Sequence, residues 1–237
     1  MDADQIISHL QRLGDPAKAA HAQRFFKTAP GEYGEGDRFL GIRMPVLRSQ
    51  IPDCRGLPLA EIECLLHSSY HEVRMFALLV LVWQFERANA ALQTKIHRLY
   101  LSNTQFINNW DLVDTSAPQI VGGYLLRRSR KLLYRLAGSD SLWERRISVL
   151  ACFSFIRAGQ FEDLLALSER LLHDPHELIH KAVGWMLREV GKRDSKTAER
   201  FLIQHYPSMP RVMLRYAIEQ MPEPKRQAFL KGTAGHS

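Results

Sequence analysis

Apolar side chains recur every three or four residues along nearly the whole chain. One face carries Ile6, Leu10 and Leu13, another Val73, Phe76, Ala77 and Val80. A third carries Trp143, Ile147 and Leu150 with Ser154 extending it, and a fourth Ile179, Val183, Met186 and Val190. This is the period of a helix with one buried face, and no strand-like alternation persists for more than a few positions. Turn-forming clusters interrupt the pattern at GDP (14–16), PGEYGEGD (30–37), IPDCRGLP (51–58), AGSDS (137–141), HDPHE (173–177), RDS (193–195) and PSMPR (207–211). Several of them put Asp or Ser where a helix N-cap belongs. From about residue 60 the helices fall into pairs spanning about 35 to 40 residues, the length of a HEAT-type repeat. The pattern predicts an all-α, HEAT-like helical-repeat solenoid, an α-α superhelix formed by residues 1–237 as one domain. A loop insertion is expected at about 29–38 and a short flexible tail at about 232–237.

PGEYGEGD alone departs from helical grammar. Its glycines suit a phosphate-cradling loop, but no strand precedes it and no GK[ST] follows it. Glu32, Glu35 and Asp37 would repel a phosphate, so it reads as a connecting loop. With 237 residues, 46% of them hydrophobic, the chain can bury a sizeable core without staples. Cys54, Cys64 and Cys152 form no CxxC pair and are odd in number, which suggests neither a disulfide framework nor a cysteine-based zinc site. The first residues, MDADQIISHLQRLG, are acidic and amphipathic, and no apolar run approaches the roughly 20 residues of a membrane span. A cytoplasmic protein without membrane attachment is expected.

Charge changes the picture. The formal net charge is +7, and Arg127, Arg128, Arg130, Lys131, Arg135, Arg145, Arg146 and Arg157 stand against only Asp140 and Glu144. A local surplus of that size suits a polyanion, with nucleic acid the leading candidate; a solvated helix face is the alternative.

Two stretches carry candidate chemistry. HELIH, 176–180, has the His-Glu-x-x-His spacing that sets two imidazoles around a catalytic zinc with Glu177 as base. The continuation fails: Val183 and Met186 stand where a metzincin needs Gly and His, and Glu199 is only a generic candidate for a third ligand. HDPHE also makes His176 a helix start, so His176 and His180 are expected to be bystanders, with no metal and no cofactor. On the same helix Trp185 lies at the edge of the apolar face beside Lys181 and Arg188, where an indole can meet a ligand or cover the core. In FINNWDLVDTSAP, 106–118, Trp110 and Asp114 are four apart and project side by side, with Asp111 one position round. SLWERRISVL, 141–150, places Arg145 and Arg146 just after a helix start.

NNWDLVDTSAP, LWERRISVL and KAVGWMLREVGK resemble the corresponding segments of the AlkD-type DNA alkylation-repair glycosylases, a likeness strongest over about 106–192. The resemblance implies HEAT-like helix pairs curved around duplex DNA, with a concave basic binding face. It implies a base-excision enzyme of the DNA-3-methyladenine/7-methylguanine glycosylase type, removing cationic N3- or N7-alkylated purines from double-stranded DNA. Carried over residue by residue, the catalytic aspartate falls on Asp114 and the sugar-facing tryptophans on Trp110 and Trp185. The backbone-contacting arginine falls on Arg146. Arg127, Arg128, Arg130, Lys131, Arg145, Lys181 and Arg188 would join it in binding DNA. An aromatic that is Tyr in the best-known members falls on Phe25, without its hydroxyl. A monomer, nucleoid-associated when bound to DNA, is expected. The alternatives are a non-catalytic DNA-binding protein, for which Asp114 would be superfluous, and a protein-interaction scaffold, which leaves the basic segment unexplained.

Overall fold

The computed structural model describes residues 1–235, and they are helical with no strand among them. The nearest approach to a strand is an isolated bridge between Arg38 and Tyr70. The chain divides into two compact units, residues 1–120 and 121–237.

The first unit contains α1 (Ala3–Arg12), α2 (Pro16–Phe25), α3 (Met44–Ser49), α4 (Leu59–Leu66), α5 (His71–Arg87), α6 (Ala90–Ser102) and α7 (Trp110–Ala117). Polar side chains fix the starts. Asp2 and Gln5 form a capping box on α1, Asp15 caps α2 with Pro16 in its first turn, and Asn89 caps α6. Helix α5 is the centre of this unit and packs against α3, α4, α6 and α7. Val73, Phe76, Ala77 and Val80, the face read from the sequence, are all inaccessible to solvent. The helix is in fact buried on nearly every side, including His71, Glu72 and Arg74, which sequence periodicity did not show.

The second unit contains α8 (Gly123–Leu125), α9 (Lys131–Leu136), α10 (Leu142–Arg157), α11 (Glu162–Arg170), α12 (Glu177–Gly191), α13 (Ser195–His205), α14 (Arg211–Ala217) and α15 (Glu223–Lys231). Ser141, His176 and Asp194 are N-caps at three of the expected breaks. Helix α12 packs between α10 and α14, with α11 and α13 also against it. Ile179, Val183, Met186 and Val190 form its fully buried face. Helices α10, α12 and α14 begin at Leu142, Glu177 and Arg211, close to the interval of the sequence pattern. Of the tail expected at 232–237, Gly232 closes α15 in a left-handed conformation, and the Tyr206 hydroxyl donates to the Gly232 and Ala234 carbonyls. His236 and Ser237 lie outside the described residues.

PGEYGEGD is a turn-rich connection whose acids serve the protein itself. Glu32 accepts from the Ala29 N–H and Glu35 from the Gly31 N–H, at 3.0 and 2.8 Å, while Asp37 turns inward and is buried. Just beyond it the backbone N–H groups of Leu40, Gly41 and Ile42 converge on the Glu72 carboxylate at 2.7 to 3.3 Å. Gly41 makes this possible: its φ is +80°, and a Cβ there would lie 2.2 Å from the Asp15 carbonyl oxygen.

Candidate functional site

In the first unit the site is built on α7. The Asn109 side chain accepts from the Trp110 N–H at 2.8 Å and fixes the helix start. Leu112, Val113, Ser116 and Ala117 face the core, which leaves Trp110 and Asp114, one turn apart, half-buried on the same side. The Ser116 hydroxyl meets that of Tyr100 at 3.0 Å. Burial, with the Asp114 charge adding to it, raises the Tyr100 pKa above the ordinary range, so the phenol stays neutral.

Trp110 ends an aromatic cluster. The Phe26 ring stacks on it with centroids 5.4 Å apart and planes 21° from parallel, and also stacks on Phe39 at 5.1 Å. Phe25, on the last turn of α2, meets Trp110 edge-on at 6.1 Å and is 59% exposed. The carried-over aromatic is therefore beside Trp110, while Phe26, which sequence reasoning missed, makes the closer parallel contact. Nothing in the sequence separates two adjacent phenylalanines at a helix end.

Beneath the rings lies a buried charge network. The His71 imidazole packs against Phe26 and Phe39, at centroid distances of 4.9 and 4.7 Å. Its Nε2 lies 2.8 Å from Asp111 Oδ2 and its Nδ1 3.3 Å from Asp37 Oδ2. Arg74 donates to Asp37 at 2.7 Å, to Asn108 at 3.1 Å and to the Ser68 carbonyl at 2.9 Å. Burial opposes protonation of His71, but the charge and hydrogen bond of Asp111, helped by Asp37, push its pKa up to about 9. The ring is thus an imidazolium at neutral pH, donating to both carboxylates. Burial likewise opposes ionisation of Asp37, and its bonds to His71 and Arg74 hold it below the usual carboxylate range. Asp111, one position round from Asp114 on the helix, bonds α7 to α5 through His71.

A cavity of about 560 Å³ opens beside this network, walled by Phe26, Phe39, Ile42, Leu47 and Met75, with His71, Glu72 and Asp111 in its lining. Lys18, His21 and Arg43 also line it.

In the second unit the basic residues divide. Arg127, Arg128, Lys131 and Arg135 are exposed, with the Arg128 guanidinium over the Tyr124 ring at 4.1 Å. Arg130 is half-buried, lies over Phe155 at 4.0 Å, and bonds to Asp163 and Gln160. Arg145 donates to Asp174 at 2.6 Å and to the Ser139 and Asp140 carbonyls. Arg146 is buried and donates to the Leu178 carbonyl at 2.6 Å, tying α10 to the first turn of α12. Asp163 and Asp174 lie beyond the basic stretch in sequence and neutralise two of its arginines, Arg130 and Arg145.

On α12, Trp185 is half-buried with Phe153 at 6.3 Å. Lys181 pairs with Glu177 at 2.9 Å, and Arg188 pairs with Glu219. His176 is the N-cap, its Nδ1 accepting from the Leu178 N–H at 3.1 Å. Glu177 and Glu199, the acids a zinc reading needs, are bonded to Lys181 and Lys225. Among the described residues no three His, Cys, Asp or Glu cluster as metal ligands, and none of the three cysteines is in a disulfide. No helix among them is long and apolar enough to cross a membrane.

Comparison with curated proteins gave no match. A solved structure described as a predicted DNA alkylation repair enzyme, from Enterococcus faecalis, is similar in fold, with a TM-score of 0.70. The likeness covers 89% of this chain and 97% of that one at 16% identity. The family model described as DNA alkylation repair enzyme matches residues 6–221, nearly the whole chain. The all-helical chain therefore belongs to the DNA alkylation repair enzyme family.

Proposed function

We propose that this protein is a DNA glycosylase that hydrolyses the N-glycosidic bond of cationic N3- or N7-alkylated purines in duplex DNA. Family membership supports a repair role. The observation that carries the finer reading is the pairing of Trp110 and Asp114 on one half-exposed face of α7, anchored by the Asn109 cap. Pure DNA binding has no use for that carboxylate.

An alkylated purine carries positive charge and leaves readily. When the C1′–N bond breaks, its electron pair returns to the base and neutralises it, and the positive charge passes to the deoxyribose. Asp114 stabilises that charge electrostatically and accepts a proton from the water that attacks C1′. The electron-rich face of Trp110 favours the cationic sugar. The leaving group's own charge takes the place of acid or metal assistance. The exposed Arg127, Arg128 and Lys131 supply the attraction for the phosphates of the lesion strand, while the buried Arg146 holds α10 against the start of α12. The side-by-side packing of α10, α12 and α14 supports a HEAT-like repeat in the second unit.

The decisive measurement is single-turnover release of 7-methylguanine from duplex DNA. Asp114→Asn keeps the side-chain shape but not the charge, so release slows by about 10² or more while DNA affinity is retained. Equal rates for the two proteins refute the mechanism. Absence of release by either leaves the binding-only reading as its replacement.

A further inference from the structure

The segment that carries Trp110 and Asp114 is held from outside its own helix. Helix α7 is only eight residues long, and Asn108, Asn109 and Asp111, the polar residues around Trp110, all bond to one buried set of charges. Asn108 accepts from Arg74 at 3.1 Å and donates to Asp37 at 3.5 Å. The Asn109 amide, whose oxygen caps α7, donates to Asp37 at 3.5 Å, and Asp111 accepts from His71 at 2.8 Å. Asp37 comes from the end of the PGEYGEGD loop, and His71 and Arg74 from the first turn of α5, so loop, α5 and α7 meet at this point. Phe26 adds an aromatic bridge, packing on both His71 and Trp110 at centroid distances of 4.9 and 5.4 Å. The bonding requires one charge state. A neutral imidazole has a single N–H and donates to one carboxylate, so only the imidazolium holds Asp37 and Asp111 together. Two cations, His71 and Arg74, then meet two carboxylates, while Glu72 on the same helix turn accepts three backbone N–H groups. The other charged or titratable groups beside His71 line the adjoining cavity: Lys18, bonded to Asp15, with His21 on α2 and Arg43 ahead of α3.

We propose that His71 and Asp111, with Asp37 and Arg74, are positioning residues that orient the Trp110–Asp114 face of α7 for base release. Their role rests on the glycosylase reading. They act through α7 rather than on the substrate. A misplacement of about 1 Å in a reacting constellation costs on the order of 10²-fold in rate, so a short helix tied down at Asn108, Asn109 and Asp111 has a direct kinetic use. Deprotonation of His71 frees one of the two carboxylates, and the orientation is lost as pH rises through the His71 pKa of about 9. The last acid of the PGEYGEGD loop thereby serves the site without touching it.

The test uses the full chain and two readouts. Single-turnover release of 7-methylguanine from duplex DNA, at saturating enzyme, gives the rate. Nuclear Overhauser contacts between the carbon-bound ring protons of Trp110 and Phe26 report the geometry without any cleavage. Asp111→Asn and His71→Gln should each slow release by about tenfold while DNA affinity stays within about twofold of wild type. The double variant should be no slower than the slower single, because both changes remove the same bridge. The ring contacts should weaken in each variant. In wild type they should weaken, and the rate should fall, as pH rises through about 9, and His71→Gln should lack both transitions. A merely structural role gives a lower melting midpoint with an unchanged rate and pH profile in the folded protein, and that result overturns the proposal. Ring contacts that persist in both variants and at high pH overturn it whatever the rates. If wild type releases no base, the glycosylase reading fails by itself, and the ring contacts still decide whether the network orients Trp110. Should His71→Gln not fold, Asp111→Asn, at a half-buried position, and the wild-type pH titration carry the same decision.

Discussion

Replacing His71 with Gln removes a titrating group from the buried network while keeping hydrogen-bonding reach toward Asp37 and Asp111. The His71 side chain is only 3% exposed, and its pKa rises from the ordinary value near 6.5 to about 9. That difference corresponds to roughly 3 kcal/mol of preference of the folded state for the imidazolium. Because the folded pKa lies above the unfolded one, the contribution is fully present below about pH 6.5 and is lost as pH rises through about 9. Asp37 has the opposite sense: its depressed pKa stabilises the fold above the usual carboxylate range and ceases to do so as pH falls through it. Urea unfolding of wild type and His71→Gln at pH 6 and pH 10 separates the two groups. The stability advantage of wild type should shrink by about 3 kcal/mol between these pH values. An advantage that is the same at both would show that His71 is neutral in the folded protein and that its contribution is packing alone.

Gly184→Ala should destabilise the second unit by about 1–3 kcal/mol, because the added Cβ would lie 2.4 Å from the Met213 carbonyl oxygen and 2.6 Å from Tyr216 Cβ where α12 meets α14; thermal unfolding checks it, and an unchanged midpoint refutes that packing. If Arg127, Arg128, Lys131 and Arg135, all exposed, carry the phosphate contacts, log affinity for duplex DNA should fall with log salt at a slope of roughly −3 to −4. Arg145→Ala should lower stability by breaking the contacts to Asp174, Ser139 and Asp140 while leaving that salt slope nearly unchanged; a slope reduced by about one would instead place Arg145 on a phosphate.

What the sequence determined by itself was local. Helical period identified the buried faces of α5 and α12, because side chains three and four apart must share a side of a helix. Asp, Ser and His at the breaks became N-caps, because those side chains reach the first free N–H groups of the next helix. The same geometry set Trp110 and Asp114 side by side and made His176 a cap. Tertiary structure decided everything that depends on residues distant in the chain. Asp37 and His71 are 34 positions apart, and His71 and Asp111 are 40 apart. Periodicity tells which face is buried but not what it is buried against, so Asp37 read as a loop acid and Asp111 only as a neighbour of Asp114 one position round the helix. The basic stretch shows the same limit. Composition counted its charges, while folding brought Asp163 and Asp174 onto Arg130 and Arg145 and buried Arg146 against the Leu178 carbonyl. A charge is available to a partner only if no closer opposite charge or carbonyl has claimed it, and that is a property of three-dimensional proximity rather than of order along the chain.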